Sequence, residues 1–274
     1  MKNTFLYLLG LTLLVASCAA PKGGEAETAT EEAPALTQSK NPTNIIRDGL
    51  SFYPLEGSPA YADAGLELET LDVAEGGEAT FNFAVSNYEL GAQTAGADQK
   101  GLANSGKGQH IHFIVDNGPY SAHYEPTVTK EMDNENHVVL AFLSRSYHES
   151  VKNATSWFID EVGPNEKTVD FSAPHMFYSR PKGTYVGADT DNLMLDFFLL
   201  NVDLSEDGYK VIAEVNGTTF LITEWQPYII AGLPKGTIKV RLQLVDANGE
   251  LVPGPFNDVT REVVLVLLPA LLLW

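Results

Sequence analysis

Four short strings recur in the same order in the two halves of the chain, and most of them alternate apolar with polar residues. "FNFAVSNYEL" (81–90) answers "LDFFLLNVDL" (195–204), so that Phe81, Phe83 and Val85 align with Leu195, Phe197 and Leu199. "IHFIVDNG" answers "VIAEVNG", each running into Asn-Gly, and "YEP" answers "WQP". "HVVLAFLSRS" answers "TIKVRLQLVD", aligning Val138, Leu140 and Phe142 with Ile238, Val240 and Leu242. A period of two marks a strand with one face to bury, and such strands divided by Gly, Pro, Asn and Asp turns must close into layered sheets. No long amphipathic helical pattern interrupts them. The expectation is therefore an all-β chain of two tandem immunoglobulin-like β-sandwich domains arising from an internal duplication. A single larger sandwich or jelly roll is the competing architecture.

The first sandwich is expected over residues 47–172 and the second over 192–268, with a Pro-, Gly- and Asp-containing linker over 173–191. "MFYSR" inside that linker is expected to settle on one of the domains. The copies differ in one place. Between Leu90 and His110 the first carries "GAQTAGADQKGLANSGKGQ", whereas the second crosses the equivalent gap with "SEDGY". The insertion is too small and polar for a core of its own, and long loops of this kind are usually functional.

The N-terminus reads "MKNTFLYLLGLTLLVASC", a basic residue, an apolar stretch and small residues before a cysteine. This is the pattern of a bacterial lipoprotein signal peptide over residues 1–17, with Cys18 as the lipid-bearing residue after cleavage. Cys18 is the single cysteine of the chain, so internal disulfides and thiol chemistry are excluded. Residues 18–46 are rich in Ala, Glu, Thr and Pro and read as a disordered tether. The absence of Asp after Cys18 favours the outer membrane of the cell envelope. A net charge of −19 disfavours nucleic acid as a partner. The last residues, 269–274, form an apolar tail too short to span a bilayer.

The segment "GKGQHIHFIVDNGPYSAHYEP" (106–126) concentrates three histidines. Centring a type I′ turn on Asn117-Gly118 sets His112 opposite His123, His110 opposite Glu125, and Ile114 opposite Ser121. One face is then His-His-His-Glu, solvent-directed, and the other is a core face of Ile111, Phe113, Val115, Tyr120 and Tyr124. His148, in "SRSYHES", lies on a strand expected to neighbour this hairpin. Two readings stay open. His110, His112, His123, Glu125 and His148 suit a first shell for zinc or copper, the metals neutral imidazole favours. Equally, an exposed antiparallel face is normally polar and uses histidine without any ligand. No catalytic residue and no organic cofactor site is assigned, because no nucleophile–base pair, Gly-rich phosphate loop or calcium loop is present.

The strings "NYELGAQT", "GQHIHFIVDN", "SRSYHESVK", "HMFYSRPKGTYVG" and "VPGPFN" together resemble an uncharacterised family of predicted lipoproteins from Bacteroidota-type bacteria, over residues 82–264. The resemblance implies an envelope location and brings no established activity. Some members are labelled phosphopeptide-binding. That chemistry calls for clustered arginines, and Arg47, Arg145, Arg180, Arg241 and Arg261 lie far apart in this sequence. The expected function is a lipid-anchored cell-envelope binding or interaction module and not an enzyme, held to the membrane by its anchor, with an envelope protein or glycan as partner. The alternatives are an envelope metal-binding protein using the histidine face, and a purely structural envelope lipoprotein.

Overall fold

The computed structural model describes residues 44–267, and those residues form two β-sandwiches. The signal peptide, Cys18, the tether as far as residue 43 and the apolar tail lie outside the described residues. Strands are numbered in chain order, beginning with a short hairpin of β1 (Ile45–Arg47) and β2 (Leu50–Pro54).

The first sandwich has β3 (Gly65–Val73), β4 (Glu78–Ser86), β5 (His110–Val115), β6 (Ser121–His123), β7 (Thr127–Glu131), β8 (His137–Ser144) and β9 (Trp157–Val162). They form two antiparallel sheets, β3-β4-β7 and β6-β5-β8-β9. Phe81 and Phe83 from one sheet meet Ile111, Phe113, Val139, Ala141 and Leu143 from the other. The second sandwich has β10 (His175–Arg180), β11 (Gly183–Val186), β12 (Asn192–Leu200), β13 (Lys210–Val215), β14 (Thr218–Ile222), β15 (Tyr228–Ala231), β16 (Gly236–Val245) and β17 (Asp258–Val266). Its sheets are β1-β2-β15-β12-β10 and β11-β17-β16-β13-β14.

The duplication is visible in this topology. In each copy the strands that carry "FNFAVS" and "LDFFLL", "IHFIV" and "VIAEV", and the segments after "YEP" and "WQP" occupy the same places. Leu195, Phe197 and Leu199 line the second core as Phe81 and Phe83 line the first.

Three boundaries differ from the sequence reading. Residues 173–191 are no linker: β10, β11 and a 3-10 turn at Gly187–Thr190 are parts of the second sandwich. The segment 47–54 is no part of the first sandwich, and 44–46 is no part of the tether. The β1–β2 hairpin instead adds to β15, extending the second sandwich from the N-terminal side. Both segments are apolar and alternate too briefly to be read as strands without their partners. The last strand string is also out of phase. Val139, Ala141 and Leu143 face the first core, while Val138, Leu140 and Phe142 face away from it.

That outward face is not solvated. Ile114, Leu140 and Phe142 of the β6-β5-β8-β9 sheet meet Phe177 and Phe198 of β10 and β12 in a third apolar cluster. Phe142 and Phe198 stack with ring centroids 5.0 Å apart. The molecule is thus four sheets deep, and β5, β8, β10 and β12 are buried on both faces. Strands covered on both sides read as continuous apolar runs, which is why the phase of "HVVLAFLS" could not be read. The edge strand β10 is closed by side chains: Asn117 Oδ1 accepts from Tyr178 N at 2.8 Å and Asn257 Oδ1 from Met176 N at 2.9 Å.

An apolar junction of this kind makes the two sandwiches unfold together. Phe142→Ala is expected to cost about 3–5 kcal/mol, the range for a buried phenylalanine. Urea unfolding should show one transition in both proteins. A junction that contributed nothing would give two transitions and little change on substitution.

Candidate metal centre

The histidines of β5 point into this junction. Within the insertion, Gly91 N donates to Gln109 O at 2.8 Å and Gln109 N to Ala92 O at 2.7 Å, which pins Gly108 against the start of the loop. Gly108 has φ +86°, and a Cβ there would strike the carbonyls of Gly91 and Ala92. Only glycine fits. The insertion is not a free loop: Ala97 and Leu102 pack with Tyr147, Met194 and Ile229 in a small cluster of their own.

With Gly108 held, its carbonyl lies 2.8 Å from His110 Nδ1. A carbonyl only accepts, so Nδ1 carries the proton and His110 Nε2 presents a bare lone pair. His112 Nε2 lies 3.0 Å from that atom, and its Nδ1 lies 3.2 Å from Ser179 Oγ in the second sandwich. Ser144 Oγ is 3.1 Å from His112 Nε2. His148 Nδ1 lies 3.1 Å from His110 Nε2 and 3.2 Å from Tyr120 OH. The three imidazoles therefore bring His110 Nε2, His112 Nε2 and His148 Nδ1 together.

One turn of backbone places His148. Arg145 N donates to Glu149 O and His148 N to Arg145 O, a tight reversal in which His148 takes φ +72°. Non-glycine residues adopt that conformation at a cost, and such strain gathers at functional positions.

His110 and His112 are fully buried, and His148 is partly so. The ring of Tyr120 stacks on His112 at 3.5 Å between centroids and 12° between planes. Burial is the main cause that pushes His110 down to about 4, with the Gly108 hydrogen bond acting against it and Arg180 with it. Burial likewise lowers His112 well below the usual histidine range, reinforced by His110 and His148, and lowers His148, reinforced by Arg180. Burial raises Tyr120, keeping it a phenol. The cluster is neutral imidazole, the form that ligates metal.

Of the five residues the sequence suggested, the structure brings His110, His112 and His148 together. His123 and Glu125 lie apart from them, and the face is buried rather than solvent-directed. The turn residues with positive φ are Asp116 and Asn117, with Gly118 N donating to Val115 O at 2.8 Å, so the turn sits one residue earlier than Asn117-Gly118. Continued from that turn the ladder would pair His112 with Ser121; one extra residue between Gly118 and Ser121 instead sets His112 against Ala122 and His123 against Ile111. A one-residue slip moves every β6 side chain to the other face. His123 now lies beside Phe113 with ring centroids 5.9 Å apart, bonded to Ser121 Oγ at 2.8 Å, and Tyr120 takes its place near His112. Glu125 is exposed and outside the group of three histidines. In the second copy the Asn-Gly turn does hold, at Asn216 and Gly217. The sequence reading missed Tyr120, Ser144 and Ser179 as neighbours of the site; only the register and the junction reveal them.

The depressed histidines have a consequence for stability. The unfolded chain takes up protons as pH falls below about 6.5, while folded His110 does so only near 4. More protons on the unfolded state means stability is present above about 6.5 and is lost on acidification. His110 alone contributes up to about 3 kcal/mol across that window. Urea melts of the metal-free protein from pH 7 to pH 4 should show the loss, and His110→Gln should flatten the curve. An unchanged slope in the variant would contradict this assignment.

No protein-family model matches the sequence, and no curated protein matches it. Among solved structures, the fibronectin(III)-like modules of Clostridium thermocellum CbhA align at 12% identity, covering 34% of this chain and 99% of that one, with a TM-score of 0.27. The central fibronectin-III array of RIM-binding protein aligns at 12% identity over 75% of this chain and 70% of that one, TM-score 0.26. Bacteroides ovatus SGBP-B, solved with a mixed-linkage heptasaccharide, aligns at 12% identity over 78% of this chain and 46% of that one, TM-score 0.21. At such TM-scores the alignments assign no function, and the architecture stands on its own strand order.

Proposed function

We propose that the protein is a cell-envelope binding module, lipid-anchored through Cys18, whose ligand is a zinc or copper ion held by His110, His112 and His148. The observation that carries this reading is the convergence of three imidazole nitrogens, whose ligating atoms all lie within 4.8 Å of one another. Two metal ligands at about 2.0–2.1 Å in tetrahedral geometry stand about 3.3 Å apart, close to the 3.0 and 3.1 Å separations here. His110 Nε2 has one lone pair and two nitrogen neighbours, so at most one of them donates to it. A cation between them engages all three lone pairs.

The supporting contacts suit a metal site. Gly108 O orients His110 through Nδ1, and Ser179 Oγ can accept from His112 Nδ1, the usual outer partners of ligating imidazoles. A fourth position is left for water or a small ligand, with Tyr120 OH in reach of His148. His112, Ser144 and Ser179 are each fully buried, which favours binding over hydrolysis despite the Ser–His contacts. Arg180 and Lys182 add positive charge nearby. That charge opposes a dication more than singly charged copper.

Metal-free protein titrated with Zn²⁺, Cu²⁺ and Cu⁺ in turn should bind one ion per chain, with Mg²⁺ as the oxygen-seeking control. His112→Gln should weaken binding at least about tenfold. His148→Gly gives a sharper discrimination, because glycine adopts positive φ freely. It should lower affinity as much, while relief of the positive φ offsets part of the packing lost with the ring and the metal-free protein still folds cooperatively. Unchanged affinity in both variants would remove the metal reading and leave three packed histidines.

A further inference from the structure

Three cations collect at the end of β10 where the second sandwich meets the hairpin tip of the first. Arg180 ends β10, Lys182 lies in the turn to β11, and Arg261 projects from β17. Three tyrosines wall the cluster. Arg180 sits 5.6 Å from the Tyr120 ring centroid and 5.7 Å from that of Tyr185. Lys182 Nζ sits 3.9 Å above Tyr120, and Arg261 sits 4.3 Å from Tyr178.

This grouping has no counter-charge. The chain holds 36 Asp and Glu against 17 Lys and Arg. Elsewhere several cations take acids: Arg145 with Glu149, Lys152 with Asp196, Arg241 with Asp258. Among the described residues no carboxylate lies within ion-pair distance of Arg180, Lys182 or Arg261. The three also feel one another: burial first, then the charges of Arg180 and Arg261, lower the Lys182 ammonium.

The hydrogen bonds are incomplete in the same place. Arg180 Nη1 donates to Tyr185 OH at 2.6 Å, Lys182 Nζ to Tyr120 O at 2.7 Å, and Arg261 Nη2 to the carbonyls of Asn117 and Gly118 at 2.7 Å each. Arg180 Nε, Arg261 Nη1 and Tyr178 OH are buried with no partner among the described residues. Buried donors without acceptors are costly, and an aromatic face offers a cation attraction but no lone pair for an N–H. An acceptor bearing negative charge meets both deficits. Arg180 is only 7% exposed and Tyr178 not at all, whereas Lys182 and Arg261 are half-buried, so a partner reaching these groups must be small.

We propose that Arg180, Lys182 and Arg261, with the Tyr178 hydroxyl, bind one small oxyanion, a carboxylate or a phosphate-type group. Guanidinium N–H edges match the paired oxygens of such anions, and Lys182 supplies a point charge at the entrance. The site stands on observations separate from the histidine cluster, so its failure leaves the metal reading untouched.

The test uses the full chain made metal-free with chelator. Phosphate, sulfate and acetate are titrated at ionic strength held constant with chloride, reading the thermal midpoint and, for phosphate, the 31P linewidth. At least one anion should raise the midpoint saturably. Lys182→Gln, at a half-buried position, should weaken that anion at least about fivefold, and Arg261→Gln should weaken it further. Lys239→Gln, on the exposed face of β16, should leave the affinity unchanged. Saturation by acetate alone assigns a carboxylate, and by phosphate and sulfate a tetrahedral anion. Should Arg261→Gln fail to fold, Lys182→Gln decides the matter. No saturable effect from any of the three anions overturns the proposal, as does equal weakening by Lys182→Gln and Lys239→Gln.

Discussion

The molecule depends on one act of burial: the outer face of the β6-β5-β8-β9 sheet is covered by β10 and β12 of the second sandwich. An ordinary sandwich leaves that face to water, and the second copy does so with Lys239, Arg241 and Gln243 along β16. In the first copy the same surface carries Ile114, Leu140 and Phe142 together with His110 and His112. Removing it from water stabilises the pairing of the domains through its apolar members. It also strips water from two imidazoles that cannot leave the strand.

The chemistry of the site follows from that desolvation. Burial is the leading cause of lowered basicity in His110, His112 and His148 alike. Three uncharged bases then face each other within hydrogen-bond distance. The insertion supplies the carbonyl that fixes one tautomer, the Arg145–Glu149 reversal supplies the third ring, and the second sandwich supplies Ser179. Each piece comes from a different part of the chain. Tyr120 joins this cluster to the cationic one, touching His148 through its hydroxyl and lying under Lys182 with its ring. An anion held by Arg180 and Lys182 would reduce the repulsion that a metal ion meets at the histidines.

Much of the fold was legible because alternation and turn chemistry are local properties. The strands bearing Phe81, Phe83, Leu195 and Phe197 needed only the period-2 pattern, and Asn216-Gly217 turned where its residues allow positive φ. At Asp116-Asn117-Gly118 the turn falls one residue earlier and an extra residue follows it before β6, and that odd count moved His123 away and brought Tyr120 in. The β1–β2 hairpin and β10 stayed hidden for another reason: short edge strands are defined by the sheet that accepts them.

The sequence by itself determined the all-β class, the duplicated order of strands, and that His110 and His112 share one face of β5, because side chains in a strand alternate with a fixed period. It also brought His148 into consideration through its place after β8. Only the tertiary structure decided that this face is buried, that Arg180, Lys182 and Arg261 gather around Tyr120, Tyr178 and Tyr185 from distant parts of the chain, and which tyrosine completes the surroundings of the histidines. Those outcomes depend on how one sheet lies against another, a packing relation between distant segments that no local pattern of residues encodes.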